Sequence, residues 1–372
     1  MWRGAVWIAI ACSCSASKDP CEPTPVVTCS DCAVNAALRF SASGAVAAVA
    51  AASDGAAEVG SCDRVWRVGE QGAIEGSTTV PLAPKEHIGF LGVSGDGNMY
   101  VSGIALQNDS YSSGTLYAFD AAGHERWSQA ELANRLAAAP EGPYAEIAGL
   151  DALNPDGTLR WSEMADPANS TWTPDQRGNL LFANDSQFVK GTQTGTITEL
   201  DVGGNAVWQK TFTTTSVSGY PFQFDELAVG PDGSIAVLCA GDGPSLELGD
   251  ASIAGTGTYV VMLDATGHTL WGQAIEVLGN PEVAVVGSAA VVIGASITDQ
   301  ARSVVLRVDR SGVTTTIDLV GGPMNQPFVH GLQAGPAGTA WFVAEPVFGA
   351  FQIGDAALPG GNQYNFLFNV RL

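Results

Sequence analysis

The sequence predicts an all-β chain: a single seven-bladed β-propeller of four-stranded blades, closed by an N-terminal strand. Three observations predict it. An apolar residue, then Asp or Asn, then Gly, then Trp recurs at fixed spacing; a second glycine turn precedes each recurrence; and one longer segment returns two units later. Self-similarity at a period of roughly 50 residues is the mark of propeller blades.

The hairpin joining the third and fourth strands (C and D) of a blade reads Phe119-Asp120…Gly123…Trp127, and again Leu153-Asn154…Gly157…Trp161. It recurs as Leu200-Asp201…Gly204…Trp208 and Leu263-Asp264…Gly267…Trp271. A fifth copy, Val308-Asp309…Gly312, has Thr316 where Trp is expected. Asp or Asn opens a turn through its side chain, and Gly takes the positive φ that the turn requires. The strand before it, Tyr259 to Leu263 for example, is rich in β-branched and aromatic residues, as strands are. Trp127, Trp161, Trp208 and Trp271 are expected to pack, fully buried, between neighbouring sheets, since their place is fixed by the repeat.

The turn between the first two strands (A and B) is read at Gly95-Asp96-Gly97, Arg177-Gly178, Asp232-Gly233 and Ala337-Gly338, each followed by an apolar run. Weaker copies stand at Ser43-Gly44, Glu141-Gly142 and Val286-Gly287-Ser288, which brings the set to seven. Leu248-Gly249-Asp250 to Tyr259 matches Ile353-Gly354-Asp355 to Tyr364, two units later. The seventh unit reaches strand C at Phe368 to Leu372, so its D strand is assigned to the N-terminal segment Pro25-Val26-Val27-Thr28. An unpaired edge there would invite aggregation.

These repeats resemble those of the PQQ-like and SBBP-type bacterial β-propeller families, over residues 36–372. The resemblance implies the fold. It also raises a quinoprotein-type redox enzyme, which commonly has paired adjacent cysteines and a calcium held by carboxylates. Neither adjacent cysteines nor an Asp-x-Asp-x-Asp-Gly loop occurs in the sequence, so no cofactor and no metal is expected.

Residues 1–11 read as a signal peptide: Arg3, an apolar stretch from Ala5 to Ala11, then Cys12. Ala9-Ile10-Ala11-Cys12 resembles a lipobox, which makes Cys12 the lipidation site of an outer-membrane lipoprotein; plain secretion to the periplasm or medium is the alternative. Residues 12–35 then form a Cys-rich tether that includes the closing strand. With export, disulfides among Cys21, Cys29, Cys32 and Cys62 are preferred to a zinc site, which would need a second CxxC or nearby histidines.

The formal charge is −22, from 38 acidic and 16 basic residues. Phosphate neutralisation needs basic patches, so nucleic acid is excluded, and a membrane is reached only through the lipid anchor. No Gly-x-Ser-x-Gly elbow, His-Glu-x-x-His or phosphate-binding glycine loop is present. His124 and His268 share one hairpin position and are read as turn residues. Binding residues are sought on the face that carries the D-to-A and B-to-C connections. There Trp172, Tyr220, Phe222 and Phe328, with His87 and His330, are the candidates. The expected function is a non-catalytic, monomeric binding or scaffold protein of the cell envelope, taking a protein, peptide or glycan. A secreted carbohydrate-binding or lyase-like propeller is the alternative.

Overall fold

The structure, a computed structural model, describes residues 24–28, 34–40, 46–51, 56–107, 110–147, 149–163, 170–189, 191–215, 222–296, 302–320, 328–335, 338–345, 351–353, 356–358 and 365–372. Among them, seven antiparallel sheets stand around one axis: a seven-bladed β-propeller. Blade one is Val46–Ala51, Ala57–Ser61, Arg64–Val68 and Ile74–Thr79. Blade two is Glu86–Val93, Met99–Gln107, Ser110–Phe119 and Glu125–Gln129. Blade three is short throughout, at Leu136–Ala139, Gly142–Glu146, Leu150–Leu153 and Leu159–Glu163. Blade four is Ser170–Pro174, Leu180–Val189, Thr192–Leu200 and Ala206–Thr215. Blade five is Gln223–Val229, Ile235–Gly241, Gly257–Leu263 and Thr269–Ile275. Blade six is Val277–Val286, Ala289–Ser296, Arg302–Asp309 and Gly312–Val320.

Blade seven completes the ring from both ends of the chain. Phe328–Ala334, Thr339–Glu345 and Asn365–Arg371 supply strands A to C. Its D strand is Val34–Phe40, paired with the last strand from Val34↔Val370 to Phe40↔Asn365. Closure by an N-terminal strand therefore holds, but not through Val26 to Thr28. Thr24–Thr28 lies one place further out, as a fifth strand on Val34–Phe40. Taking Ser43-Gly44 as an A-to-B turn assigns residues 36–42 to blade one, whereas Val34–Phe40 is the closing strand of blade seven. Residues 43–44 lie outside the described residues, between the closing strand and blade one. The A-to-B connection of blade one falls at residues 52–56.

The core is divided among the blade interfaces. B strands are buried on both faces, as in the unbroken buried run Ile235 to Cys239, and each seam holds its own apolar cluster. Val283, Val285 and Val292 of blade six meet Ala236, Leu238 and Val260 of blade five. At the closing seam, Trp341, Leu367 and Leu38 of blade seven meet Val59, Trp66 and Val68 of blade one. The A strands of successive blades also touch in a closed circle, blade seven against blade one included.

The repeat tryptophans dock on the blade that follows. The Trp127 indole lies over Gly157 of blade three and donates its N–H to the Pro155 carbonyl at 2.8 Å. Trp161 lies over Gly204 of blade four and donates to Val202 at 2.9 Å. Trp208 lies over Gly267 of blade five. These rings are half-buried rather than fully buried, because they seat on turns at the edge of the sheets. Gly204 has φ +83°, and a Cβ there would stand 3.2 Å from the Trp161 ring, so the glycine serves both the turn and the seat. In blade six the hairpin is one residue tighter, which puts Thr315, not Thr316, in the tryptophan register opposite Arg307.

The longer repeat is a hairpin inserted between strands B and C. Ser245–Glu247 and Ser252–Ala254 leave blade five and add two strands to the outer edge of blade four. Phe351–Ile353 and Ala356–Leu358 do the same from blade seven to blade six.

Candidate functional site

Because strand A is innermost, the start and end of each A strand open on the two mouths of a central channel. Its volume is about 1200 Å³. Much of its wall is aliphatic or glycine, but four charged residues line it: Arg135, one residue before strand A of blade three, Asp175, just after strand A of blade four, Glu226 of blade five and Glu282 of blade six. Arg135, Glu226 and Glu282 are each half-buried.

Local irregularity explains how charge enters an apolar strand. The pairing of strand A with strand B shifts between Phe224 and Glu226, between Leu278 and Glu282, and again between His330 and Gln333. Such bulges re-aim side chains and release backbone groups from the ladder. Glu226 Oε2 accepts the Val283 N–H at 2.9 Å, and Glu282 Oε2 accepts the Leu332 N–H at 2.7 Å. Each carboxylate thus ties its blade to the next along the channel wall. Arg135 Nη1 donates to Thr171 Oγ1 at 3.1 Å, and its guanidinium lies 5.1 Å from the Trp172 ring centroid, within cation–π range.

Burial pushes Glu226 well above the usual carboxylate range; Glu282 adds to the shift and Arg135 opposes it. Burial likewise lowers Arg135, against the pull of Glu226, Glu146 and Glu282. The channel therefore offers a carboxyl that can donate a hydrogen bond near neutral pH, beside a second carboxylate and a guanidinium. This set can hold a polar, hydrogen-bonding segment. Among the described residues no three His, Cys, Asp or Glu side chains gather in a way that could hold a metal ion.

Of the sequence candidates, the side chains of Trp172, Phe222 and His87 are described, and they fall in three different places. Trp172 is 2% exposed, with an edge on the channel; Phe222 is 1% exposed, packed edge-on to Phe224 in the core of blades four and five. Neither ring is presented to solvent. His87 sits half-buried on strand A of blade two, paired with Ile104. Phe328 and His330 lie on strand A of blade seven, and their side chains fall outside the described residues, as do Tyr220, Cys12, Cys21, Cys29 and Cys32. Cys62 is disulfide-bonded, and Cys239 is a buried thiol outside any disulfide. Arg135, Glu226 and Glu282 were not singled out from the sequence. The signal available was an acidic residue inside an A-strand segment, as in Pro281-Glu282-Val283-Ala284.

No protein-family model matches the chain, and no curated protein matches it. Solved structures do. A streptogramin B lyase structure aligns with TM-score 0.53 at 12% identity, over 90% of this chain and 97% of the other. A chain in a mitotic checkpoint complex aligns with TM-score 0.52 at 9% identity, over 97% of each. A protein of unknown function from Bacteroides caccae aligns with TM-score 0.39 at 12% identity, over 63% of this chain and 83% of the other. At such identities the likeness is one of fold.

Proposed function

We propose that the protein is a non-catalytic binding or scaffold propeller of the cell envelope that takes a polypeptide segment at the channel mouth. The observation that carries this reading is the channel group Arg135, Glu226 and Glu282, set on innermost strands around one cavity. A net charge of −22 favours a cationic segment, since complementary charge speeds encounter and rejects wrong partners. The structural likeness to a chain of a mitotic checkpoint complex supports a protein partner by analogy of fold. Export is supported by the Arg3-to-Cys12 start and by the Cys62 disulfide, because disulfides persist in oxidising compartments. In this reading residues 1–11 are removed, Cys12 carries lipid, and a monomer of the PQQ-like or SBBP-type repeat group hangs from the tether. Mass spectrometry of the mature chain should then find an acylated Cys12; an intact Met1 ends the lipoprotein part.

Peptide-library selection against the wild type, with a Glu282→Gln protein as comparison, tests the binding. Lys- or Arg-bearing peptides that bind the wild type at least tenfold more tightly are expected. Peptides that bind both alike overturn the channel assignment, and no enrichment overturns the binding reading. A second reading, a lyase-like or glycan-binding propeller, has Glu226 in its favour, since a strongly shifted carboxyl in a cleft can serve as general acid or base. Turnover of a glycan that Glu226→Gln abolishes would establish it.

A further inference from the structure

In blades two to five a D-strand tryptophan occupies one register position. Strand C pairs with strand D, the register shifts by one residue, and the next pair holds the indole: Ala118↔Trp127, Ala152↔Trp161, Glu199↔Trp208 and Met262↔Trp271. Blade one has the same shift in the same place, and there the pair is Arg67↔Gly76. The residue two further on confirms the alignment. Gln129 donates to the Gly157 carbonyl of the next blade's turn, Gln273 donates to that of Arg310, and the Thr78 side chain lies against Gly123.

Gly76 leaves the seat open. A Cβ at Gly76 would meet nothing within 4 Å, and the gap continues into a cavity of about 500 Å³ between blades one and two. The receiving turn is nevertheless complete. Asp120-Ala121-Ala122-Gly123 has its Asp hydrogen-bonded to the Ala122 and His124 amides, and Gly123 has φ +80°. Its Ala121 carbonyl corresponds to those of Pro155 and Val202, which accept indole N–H groups in the filled seats. Blade six makes the contrast. It too lacks the ring, but blade seven draws strands C and D from opposite parts of the chain and has no hairpin turn to receive one. There the ring and its receiver are both missing; at blade one only the ring is.

We propose that the blade one–blade two gap, with Gly76 as floor and the Asp120–Gly123 turn as wall, is a docking slot for one tryptophan side chain of a partner polypeptide. The occupant is specified by the filled seats of the same molecule: a flat indole laid against the turn beside Thr78, as Trp127 lies beside Gln129 over Gly157, with its N–H on the first turn carbonyl. Arg67, held by Glu58 at 2.7 Å and Glu75 at 3.1 Å, flanks the slot and adds a cation beside the ring face. The slot lies at the turn end of blades one and two and does not depend on the channel reading.

The probe is N-acetyl-tryptophanamide, titrated into the ¹⁵N-labelled full chain while amide shifts are followed. Saturable shifts confined to Ser77, Ala121, Ala122 and Gly123 are expected, with half-saturation near 0.1–1 mM, about what a ligand of this size reaches. N-acetyl-leucinamide should give none. Gly76→Trp should abolish the titration and raise the melting temperature. Should that variant fail to fold, Gly76→Val, which suits a strand, should weaken the titration at least fivefold. No saturable shift in the wild type, an equal response to the leucine probe, or an unchanged titration in the Gly76 variants overturns the proposal.

Discussion

Trp127 and Trp341 show how position sets the worth of one side chain. Trp341 is wholly enclosed at the closing seam, whereas Trp127 rests half-buried on a turn and keeps its N–H bonded to Pro155. Trp341→Ala should cost about 3–5 kcal/mol, as for a fully buried aromatic, and Trp127→Ala about half of that. Urea midpoints of the two variants check the order, and equal midpoints would refute the half-seated geometry. The sequence made the four repeat tryptophans legible because turn and ring recur together. It did not reveal that each ring reads the next blade's turn, since that contact joins residues roughly 30–60 positions apart and the residue that offers the carbonyl changes from Pro155 to Val202. Gly76 was invisible for the opposite reason: the Gly69…Gly72…Gly76 hairpin keeps the spacing, the apolar Val68 and the turn glycine Gly72, but neither the Asp nor the Trp.

At the scale of the element, two devices fasten blades together. In the inserted hairpin of blade five, Asp250 accepts from Lys210 of blade four at 2.7 Å and from the Thr269 amide of blade five at 2.9 Å. Burial works against the Asp250 charge, but the hydrogen bonds from Lys210 and Thr269 hold its carboxyl well below the usual range. The second device is the closing strand. Among the described elements, a chain starting at residue 30 loses only the outer fifth strand, and it should stay folded and monomeric. A chain starting at residue 42 also loses Val34–Phe40, exposes the edge of Asn365–Arg371, and should lose several kcal/mol or self-associate. Thermal melts with light scattering compare the two; equal behaviour would mean that the register Val34↔Val370 does not hold the ring. That an N-terminal strand closes the ring was legible from the missing D strand. Which strand it is was not, because Val34 to Phe40, with two alanines and an arginine, looks no more strand-like than Pro25 to Thr28.

For the whole molecule, the channel group links pH to stability. Burial raises Glu226 above its ordinary value near 4.3. Its contribution is therefore full below that value and is lost as pH rises through neutrality. Glu226→Gln, which keeps an acceptor for the Val283 N–H, should match the wild type at about pH 4 and be the more stable at about pH 8.5. Denaturant midpoints at the two pH values test this; a wild type that gains stability over the same interval would refute it. The ring was legible from its period, and the channel chemistry was not, since bulges that turn Glu226 and Glu282 inward leave no mark in composition. The closing seam has one further consequence. Val34 and Val370 face each other in antiparallel register, so a short Asp-x-x-Gly loop could run from Arg371 into Val34, with fresh termini cut at the Gly204 turn of blade four. In such a circular permutant blade seven would become an ordinary hairpin blade and blade four would carry the join. Blade six would then have a turn to dock on, and Thr315→Trp, idle in the natural order of the chain, would become stabilising.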